Sequence, residues 1–421
     1  MRARPIRMLF WIREEFPTYR VDIDVLFGRE LIGRGHAIDF VMQAGSPNVT
    51  PGSHRWRGRS VFVGSTTVGS VFSRFAKHAL ALWNDLKCLR FAHPEHYDAL
   101  QVRDKFVFAA IAVWIAHRRG MKFFYWLSFP YPEADRLHAR TGETRFPFFV
   151  SLRGSISGWL LYRWILPRAD HAFVQSERMK QDLVEKGCDA RILTPVPMGI
   201  DLRDIPCANN RTVSEPNRSP VLGYLGALNA DRHLEVLIDM LSVLRRNGCP
   251  VKLLLVGDAF EPEDRRQLER RAQDHGVSDF LEITGTLLRM HALERMREVD
   301  IALSVYHPTP ILLSTSPTKL VEYLALGLPV VASEHPEQRY VLHMSGAGVC
   351  APWGARYFAR SVRWLLRRSA GERAAMGAKG RVWIEMHRTY SHIADSLERK
   401  YQNLLYPSND RILESTDVGA V

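Results

Sequence analysis

Two series of short apolar runs, separated by segments of helical period, constrain this chain more than any other feature of its sequence. The first series is "RMLFWI", "AIDFVM", "YDALQV", "MKFFYWLS" and "HAFVQS". The second is "PVLGYLGAL", "PVKLLLVGDA", "DFLEITG", "DIALSVY", "LPVVAS" and "AGVC". Strands that alternate with helices in this way form right-handed βαβ units and a parallel sheet. The pattern therefore predicts an α/β protein with two doubly wound, Rossmann-like domains.

A polar, turn-rich stretch, "PCANNRTVSEPNRS", lies between the two series and predicts a linker. We expect an N-terminal domain over 1–205, the linker over 206–219 and a C-terminal domain over 220–385. A helix over 386–405 and a tail over 406–421 follow. Because open α/β sheets bind ligands beyond the carboxyl ends of their strands, we expect the two domains to face each other across a ligand cleft.

The composition predicts an anionic partner. The chain has a formal net charge of +12 and a pI near 9.6, which suits nucleic acid, anionic lipid or phosphorylated substrates equally well. Its five scattered cysteines lack any C-x-x-C spacing, which favours a reducing compartment and ordinary thiols over a zinc site. No segment has the roughly 18 apolar residues that a membrane span needs. We expect a cytoplasmic protein, at most peripheral at the inner face of the cell membrane.

The stretch from Pro51 to His93 carries seven Arg and Lys against one acidic residue. Apolar residues within it recur at intervals of three and four and predict an amphipathic helix: Phe72, Phe75, Ala79, Leu82, Leu86 and Leu89. This helix either packs on the core with a solvated basic face or docks on an anionic membrane surface. Nucleic-acid binding is disfavoured because no recognised module accompanies the charge.

The segment "STSPTKLVEYLALGLPVVAS" predicts a helix from Pro317 to Leu326, between two strands. Ser316 is placed to cap it, and Pro317 suits the first helical position. Gly327 and Pro329 mark its end. Free amides and the positive end of the helix dipole then make its N-terminus an anion site.

Lys319 and Glu322 share one face of this helix, because they are three residues apart. They form either a surface salt bridge or two ligand contacts, in which the Lys holds a phosphate and the Glu accepts hydrogen bonds from sugar hydroxyls. A second candidate is "GYLGALNADRHLEVLIDML", where Gly226 lets backbone approach a ligand and Arg232 adds a cation.

On these motifs the chain resembles the retaining glycosyltransferases of family 4, which have the GT-B fold. "SPTKLVEYLALGLPVVAS" is similar to the family's donor-binding motif, and "LGYLGALNADRHLEVLIDML" to its first C-domain motif. "VKLLLVGDA" and "FLEITGTLLRMHALERMREVDIALSVY" are similar to the segments between them. "ADHAFVQSERMKQDLVEKGCDARILTPVPMGIDLRDI" resembles the end of the N-domain.

The resemblance implies roles by position. Arg232 and Lys319 would be the catalytic cations at the donor diphosphate, and Glu322 would hold the ribose. Thr286 and Leu287 would contact the nucleobase. The remaining donor-binding candidates lie at the strand end or around the helix start: Gly226, Ser314, Ser316, Pro317, Thr318 and Leu320.

The sequence departs from the family pattern at four places. Ser314 stands where the first motif glutamate is usual, and Ala227 stands where an arginine follows the glycine. The glycine-rich loop after the first strand is replaced by a segment with Tyr19 and Arg20, and "YWLSFPYPE" lacks the usual histidine. The candidates for the acceptor side are Tyr19, Arg20, Arg103, Asp104 and Glu133.

The predicted activity is transfer of a hexose, with retention, from a UDP- or GDP-sugar to a saccharide or lipid-linked saccharide, in cell-surface polysaccharide synthesis. The nucleotide sugar is a co-substrate, with no cofactor and no obligatory metal. Two alternatives stay open: a nucleotide-sugar 2-epimerase of the same fold, and a non-catalytic protein that binds nucleotide sugars. A nicotinamide dehydrogenase is disfavoured because no G-x-G-x-x-G follows the first strand.

Overall fold

The computed structural model describes residues 4–18, 20–65, 71–142, 144–205 and 218–407, with backbone alone for 71–76 and 204. The chain divides into two compact units: Met1–Pro197 with Tyr390–Val421, and Met198–Thr389. Candidate Tyr19, most of the expected linker and the tail from 408 onward lie outside the described residues.

The first unit contains a sheet of eight strands in the order β3-β4-β2-β1-β5-β6-β7-β8. All of its pairings are parallel except the hairpin of β3 with β4. The strands are β1 (Arg7–Phe16), β2 (Ala37–Ala44), β3 (Gly52–Trp56), β4 (Arg59–Gly64), β5 (Ala99–Arg103), β6 (Lys122–Leu127), β7 (His171–Val174) and β8 (Leu193–Pro195).

Helices cover both faces of this sheet. A π-helix, Asp22–Leu31, connects β1 to β2, and a second, Leu160–Ile165, continues α4. The α-helices are α1 (Val71–Cys88), α2 (Phe106–Arg118), α3 (Tyr131–Thr141), α4 (Pro147–Trp159) and α5 (Glu177–Glu185). Short 3₁₀ turns are Leu89–Phe91, Leu166–Arg168 and Ala190–Ile192.

The second unit contains six parallel strands in the order β11-β10-β9-β12-β13-β14. The strands are β9 (Val221–Leu225), β10 (Lys252–Val256), β11 (Leu281–Ile283), β12 (Ile301–Ser304), β13 (Val330–Ser333) and β14 (Gly348–Ala351). The α-helices are α6 (Glu235–Arg246), α7 (Pro262–Asp274), α8 (Arg289–Met296), α9 (Pro310–Leu313), α10 (Thr318–Ala325), α11 (Pro336–Ser345), α12 (Ala355–Leu366) and α13 (Ala370–His387). Its 3₁₀ turns are Leu202–Asp204, Ala230–Arg232 and Ser278–Phe280.

The last helix, α14 (Tyr390–Leu405), returns to the first unit. Arg34 binds both Asp395 and Glu398 of this helix, at 2.5 and 3.0 Å. The Tyr401 hydroxyl donates to the Gln101 side chain in β5 at 2.5 Å. The chain therefore ends, as far as it is described, packed on the domain in which it began.

The apolar runs form strands because both faces of each sheet are covered. In β1, Leu9 and Trp11 belong to one core, and Met8, Phe10 and Ile12 belong to the core on the opposite face. All five side chains are completely buried. Strands buried on both sides are apolar at consecutive positions, which is typical of parallel sheets. The predicted α/β fold with two Rossmann-like domains is confirmed, and all eleven predicted runs contribute a strand.

Three strands were not predicted. β3 ("GSHRW") is a half-exposed edge strand without an apolar run, so periodicity gave no signal for it. Its hairpin partner β4 contains the short apolar run "VFV", which lies inside the basic stretch and was not predicted as a strand. The turn between them is built from Arg57 and Gly58, both with positive φ, of 52° and 79°. β8 has only three residues. The helix expected over 71–89 is present as α1.

Close packing of helix α13 requires a glycine. A Cβ atom at Gly377 would lie 1.9 Å from the carbonyl oxygen of Gly327, a backbone atom that cannot move aside. Gly371, in the same helix, has only the Ser369 hydroxyl within 4.0 Å. The last turn of α10, which ends at Gly327 with φ 71°, thus depends on a small residue in α13.

We expect Gly377→Ala to lower the free energy of unfolding of the second unit by about 1–3 kcal/mol, the usual cost of overpacking. Gly371→Ala is the matched control and should be neutral or stabilise by up to about 1 kcal/mol, since alanine is the better helix former. Urea unfolding followed by circular dichroism measures both. Equal stability of the two variants would contradict the contact.

Candidate functional site

The candidate donor site begins where β9 ends. Gly226 follows that strand with φ 145°, a conformation that favours glycine, and its amide donates to the carbonyl of Val256 at 3.0 Å. A Cβ atom here would lie 2.6 Å from Cε and 3.1 Å from Nζ of Lys319. The missing side chain therefore makes room for the lysine.

The start of helix α10 differs from the prediction. Pro317 is the N-cap, the helix begins at Thr318, and no side chain caps it. The expected cap, Ser316, accepts a hydrogen bond from the Met198 amide at 2.9 Å and donates to Glu337 at 2.7 Å instead. The Met198 amide takes the acceptor role of the Ser316 oxygen, so the first amides of the helix receive no bond from Ser316. The predicted end at Gly327 is correct, since its amide bonds the carbonyl of Leu324.

Lys319 lies in the first turn of α10 beside two aromatic rings. Its ammonium is 5.1 Å from the ring centre of Tyr224 and 5.3 Å from that of Tyr306. Burial pulls the pKa of Lys319 down, but the two phenols outweigh it and leave the pKa above its ordinary value. In the described part of the chain Lys319 forms no ion pair with a carboxylate. A cation held by π faces stays available for an anion.

Arg232 lies close enough to act on the same groups. The positive charge of Arg232 acts to lower the pKa of Lys319 and the pKa of Tyr306. At Tyr306 burial is the larger effect and raises the pKa. Arg232 ends the turn Ala230–Arg232, and its Nε is buried 3.7 Å from the exposed carboxylate of Asp231, with no hydrogen-bond partner among the described residues. Two neighbouring cations with so little compensation are the candidate site for an anion.

Glu322 lies one turn further along α10, with 17% of its side chain exposed. Its carboxylate accepts a hydrogen bond from Arg289, the first residue of α8, at 2.8 Å. Thr286 is exposed and Leu287 packs against the core just before that helix. The structure thus brings the predicted base-contacting loop next to the helix of Lys319 and Glu322.

Ser314 ends helix α9 and is almost completely buried, at 4% exposure. Leu320 is buried in the core, so its side chain is unable to meet a ligand, whereas Thr318 is half-buried at the helix start. Sequence reasoning missed Tyr224, Tyr306 and Glu337. The two tyrosines lie in or next to apolar strand runs, where aromatic residues usually mean core, so pattern alone gave no signal for them.

A ring cluster adjoins Arg232. His233 has φ 51°, and its ring centre lies 4.2 Å from that of His307, which in turn contacts Trp353 edge-on at 5.0 Å. Burial, followed by the charge of His233, lowers the pKa of His307. Nδ1 of His307 is buried without a partner among the described residues. The imidazole of His307 thus presents a polar edge, unpaired within the described ranges, next to the ring of His233, the residue that follows Arg232.

The acceptor-side candidates Arg20, Arg103 and Asp104 meet at the carboxyl ends of β1 and β5. Arg103 is completely buried and donates to Asp22 at 2.7 Å, with Glu14 at 3.3 Å and Asp104 at 3.6 Å. Arg20 pairs with Asp22 at 3.1 Å and Glu14 at 3.4 Å. This buried ion cluster balances two cations with three carboxylates.

The two buried aspartates of the cluster titrate in opposite directions. Burial raises the pKa of Asp104 to about 6, although Arg103 and hydrogen bonds from Ser128 oppose it. For Asp22, burial is outweighed by Arg103 and Arg20, which hold its pKa at about 2. Asp104 also has φ 53°, and its two oxygens accept from the Ser128 amide and hydroxyl. Ser128 belongs to "YWLSFPYPE", the segment that lacks the family histidine.

Glu133 does not join this cluster. It accepts hydrogen bonds from the Tyr162 hydroxyl at 2.6 Å and from Lys186 at 2.7 Å. Its second oxygen is buried without a partner among the described residues. The structure therefore separates the acceptor-side candidates into a buried ion cluster and one carboxylate on α3.

We expect the pKa of Asp104 to shape stability between about pH 4 and pH 6. Its folded-state pKa of about 6 exceeds the ordinary 3.8, so the folded protein binds more protons than the unfolded chain in this window, and its stability falls as the pH rises. Asp104→Asn does not titrate. Urea unfolding at a series of pH values should show the stability of the natural protein falling relative to the variant from pH 4 to 6. A difference that does not change with pH would contradict the assignment.

Two family models match the chain. The model described as glycosyl transferases group 1 matches residues 208–383, and that of glycosyltransferase family 4 matches residues 25–204. Together they span most of both units.

Curated relatives and a solved structure agree with these models. The amylovoran biosynthesis glycosyltransferase AmsK of Erwinia amylovora is 25% identical over 53% of this chain and 55% of its own length. The GDP-mannose-dependent alpha-(1-6)-phosphatidylinositol dimannoside mannosyltransferase of Mycobacterium tuberculosis is 25% identical over 64% of this chain and 66% of its own. The matches thus span less than two thirds of either relative. Sucrose-phosphate synthase from Thermosynechococcus elongatus superimposes with a TM-score of 0.73 over 96% of this chain and 100% of that one, at 16% identity, which shows the GT-B fold.

No described helix is long and apolar enough to cross a bilayer. No group of three or more His, Cys, Asp and Glu side chains within those ranges is arranged to hold a metal ion.

Proposed function

From the premise that this chain belongs to the family 4 glycosyltransferases of the GT-B fold, we propose that it transfers a hexose from a UDP- or GDP-sugar, with retention, to a saccharide or lipid-linked saccharide. The observation that carries the proposal is the pair of cations, Lys319 and Arg232, at the strand ends of the second unit. They lie beside the start of α10, whose free amides add positive potential. A diphosphate is the anion that this arrangement suits best.

The nucleoside half of the donor is assigned to the adjacent helices. Glu322 is the candidate acceptor for the ribose hydroxyls, and its ion pair with Arg289 fixes the direction of its carboxylate. The loop of exposed Thr286 and half-buried Leu287 is the candidate contact of the base. The M. tuberculosis relative is named as GDP-mannose-dependent, which supports a nucleotide sugar as co-substrate here.

The acceptor is assigned to the first unit. Arg103 is completely buried among carboxylates, so it positions the loops after β1 and β5 rather than touching a sugar. Arg20 keeps 39% of its side chain exposed and Glu133 keeps 23%, and we assign contact with acceptor hydroxyls to these two. AmsK is named for amylovoran biosynthesis, and the M. tuberculosis relative for a phosphatidylinositol dimannoside, which supports a polysaccharide or lipid-linked acceptor.

The proposed chemistry requires stabilisation of the leaving group. The bond from C1 of the sugar to the β-phosphate oxygen breaks as a bond from C1 to the acceptor oxygen forms on the same face. The proton of the acceptor hydroxyl leaves with the nucleoside diphosphate. Lys319, Arg232 and the amides at Thr318 offset the charge that develops on the phosphate, and preorganised cations of this kind make large contributions to catalysis.

We expect Lys319→Met and Arg232→Met each to weaken binding of UDP or GDP by about 10- to 100-fold, the effect of one charge-assisted hydrogen bond. Arg266→Met removes an exposed arginine that pairs with Glu263 on α7, and serves as the charge-matched control with unchanged affinity. Isothermal titration calorimetry measures all three. Unchanged affinity in both site variants would contradict the diphosphate site.

Glu322→Ala should separate the ribose contact from the phosphate contacts. We expect about 10-fold weaker binding of the nucleoside diphosphate and unchanged binding of inorganic diphosphate, because the lost hydrogen bonds belong to the sugar. Lys319→Met should weaken both ligands. Equal losses for both ligands with Glu322→Ala would contradict the ribose assignment.

The activity itself is tested with a panel of radiolabelled nucleotide sugars and a membrane lipid extract. Label in an extractable lipid or a saccharide supports transfer. Interconversion of the free donor would instead establish the epimerase, and donor binding without turnover would establish a binding protein. Either of these outcomes overturns the proposed transfer.

A further inference from the structure

Helix α4 has the reverse of the amphipathic arrangement that a helix on a globular domain normally shows. Its large apolar side chains face solvent, at 72% exposure for Phe148, 64% for Phe149 and 58% for Trp159. Leu152 and Ile156, at 45% and 50%, lie between them. At 100° per residue these five positions fall on one third of the helix circumference. They are called the aromatic face of α4 below.

The opposite side of α4, which faces the protein, carries only small side chains. Gly154, Ser157 and Gly158 are its buried residues. A Cβ atom at Gly154 would lie 2.9 Å from the carbonyl oxygen of Pro132, and one at Gly158 would lie 2.4 Å from the guanidinium of Arg136. The glycines bring α4 close to α3, so the helix is held firmly while its apolar face stays uncovered.

Exposure on this scale exceeds the scattered apolar residues that any soluble surface carries. Helix α1 of the same unit also exposes apolar side chains, Leu80 at 37% and Trp83 at 68%. Exposed aromatic rings therefore occur on two helices of the first unit.

The charge around the face selects its occupant. From Arg145 to Arg168 the sequence has four arginines and no acidic residue, and one of the four, Arg153, is paired with Asp135 of α3 at 2.6 Å. Arg145 lies over the ring of Phe146 at 5.6 Å, and Arg163 is exposed one turn beyond Trp159. A second copy of the chain would bring the same arginines against each other, whereas an anionic headgroup layer would meet them with opposite charge. An apolar face rimmed by arginines is typical of interfacial helices.

We propose that the aromatic face of α4 inserts into the interfacial layer of an anionic bilayer and holds this protein at the membrane. No described helix is long and apolar enough to cross a bilayer, and the buried glycines Gly154 and Gly158 hold α4 on α3, so α4 lies along the surface. This inference rests on the proposed function at one point: contact with the membrane would give the enzyme access to a lipid-linked acceptor. It places the membrane contact on α4 in addition to the basic stretch over 51–93.

The test is flotation of the full chain with vesicles of phosphatidylcholine containing about one fifth phosphatidylglycerol. We expect Phe148→Ser with Phe149→Ser to reduce the bound fraction at least about 10-fold, since each buried phenyl ring contributes that much to partition. Phe260→Ser is the matched control: it removes a phenylalanine with 84% exposure from the second unit and should leave binding unchanged. Binding that survives 1 M salt in part would support apolar insertion, which salt does not screen.

Three outcomes would overturn the proposal. The first is a natural protein that does not float with these vesicles. The second is equal flotation of the double variant and the natural protein. The third is a double variant that floats normally but changes from dimer to monomer by light scattering, which would assign the face to a second copy. The natural protein and the double variant should bind UDP or GDP with the same affinity in the absence of lipid. This measurement distinguishes loss of the donor site from loss of the membrane site.

Discussion

Burial of both faces of each parallel sheet is the constraint on which the rest of this structure depends. Strands such as β1 have no solvent side, so polar groups are excluded along their length and collect where the strands end. Parallel strands all end at the same edge. The buried ion cluster follows β1 and β5, and Gly226 follows β9, for this reason. The candidate chemistry lies at strand ends because the interior of the sheets has no place for it.

The fold was predictable to a large extent because its signal is local. Apolar runs such as "KLLLV" in β10 mark buried strands without reference to the remainder of the chain. Strand β3 lacked that signal, because a half-exposed edge strand needs no apolar run. The same limit applied to the start of α10. Ser316 has the right position for a cap, but its oxygen accepts a hydrogen bond from the amide of Met198, and a competitor 118 residues away is invisible to local pattern.

The candidate site was predictable in part. Gly226, Arg232, Lys319 and Glu322 came from motif positions, and the structure brings them to one end of the second sheet. The rings of Tyr224 and Tyr306, which hold the Lys319 ammonium, were not predicted from the sequence. An aromatic residue in or beside a strand has the same sequence signature whether it packs in the core or faces a cation. Helix α4 presents the same difficulty in reverse, since its apolar residues have ordinary helical spacing, and only the structure shows that they point outward.

The contrast between the two units argues for a division of labour. In the first unit Arg103 is buried against Asp22, Glu14 and Asp104, so its charge is already satisfied and its role is to hold loops in place. In the second unit Lys319 is held by aromatic rings, and Arg232 is paired, among the described residues, with the exposed carboxylate of Asp231. The repulsion between the two cations is an unfavourable contribution to folding, although the tyrosines outweigh it at Lys319. A bound diphosphate would remove this repulsion, so binding of a nucleotide should stabilise the second unit. The same pair of cations would stabilise the leaving group of the reaction.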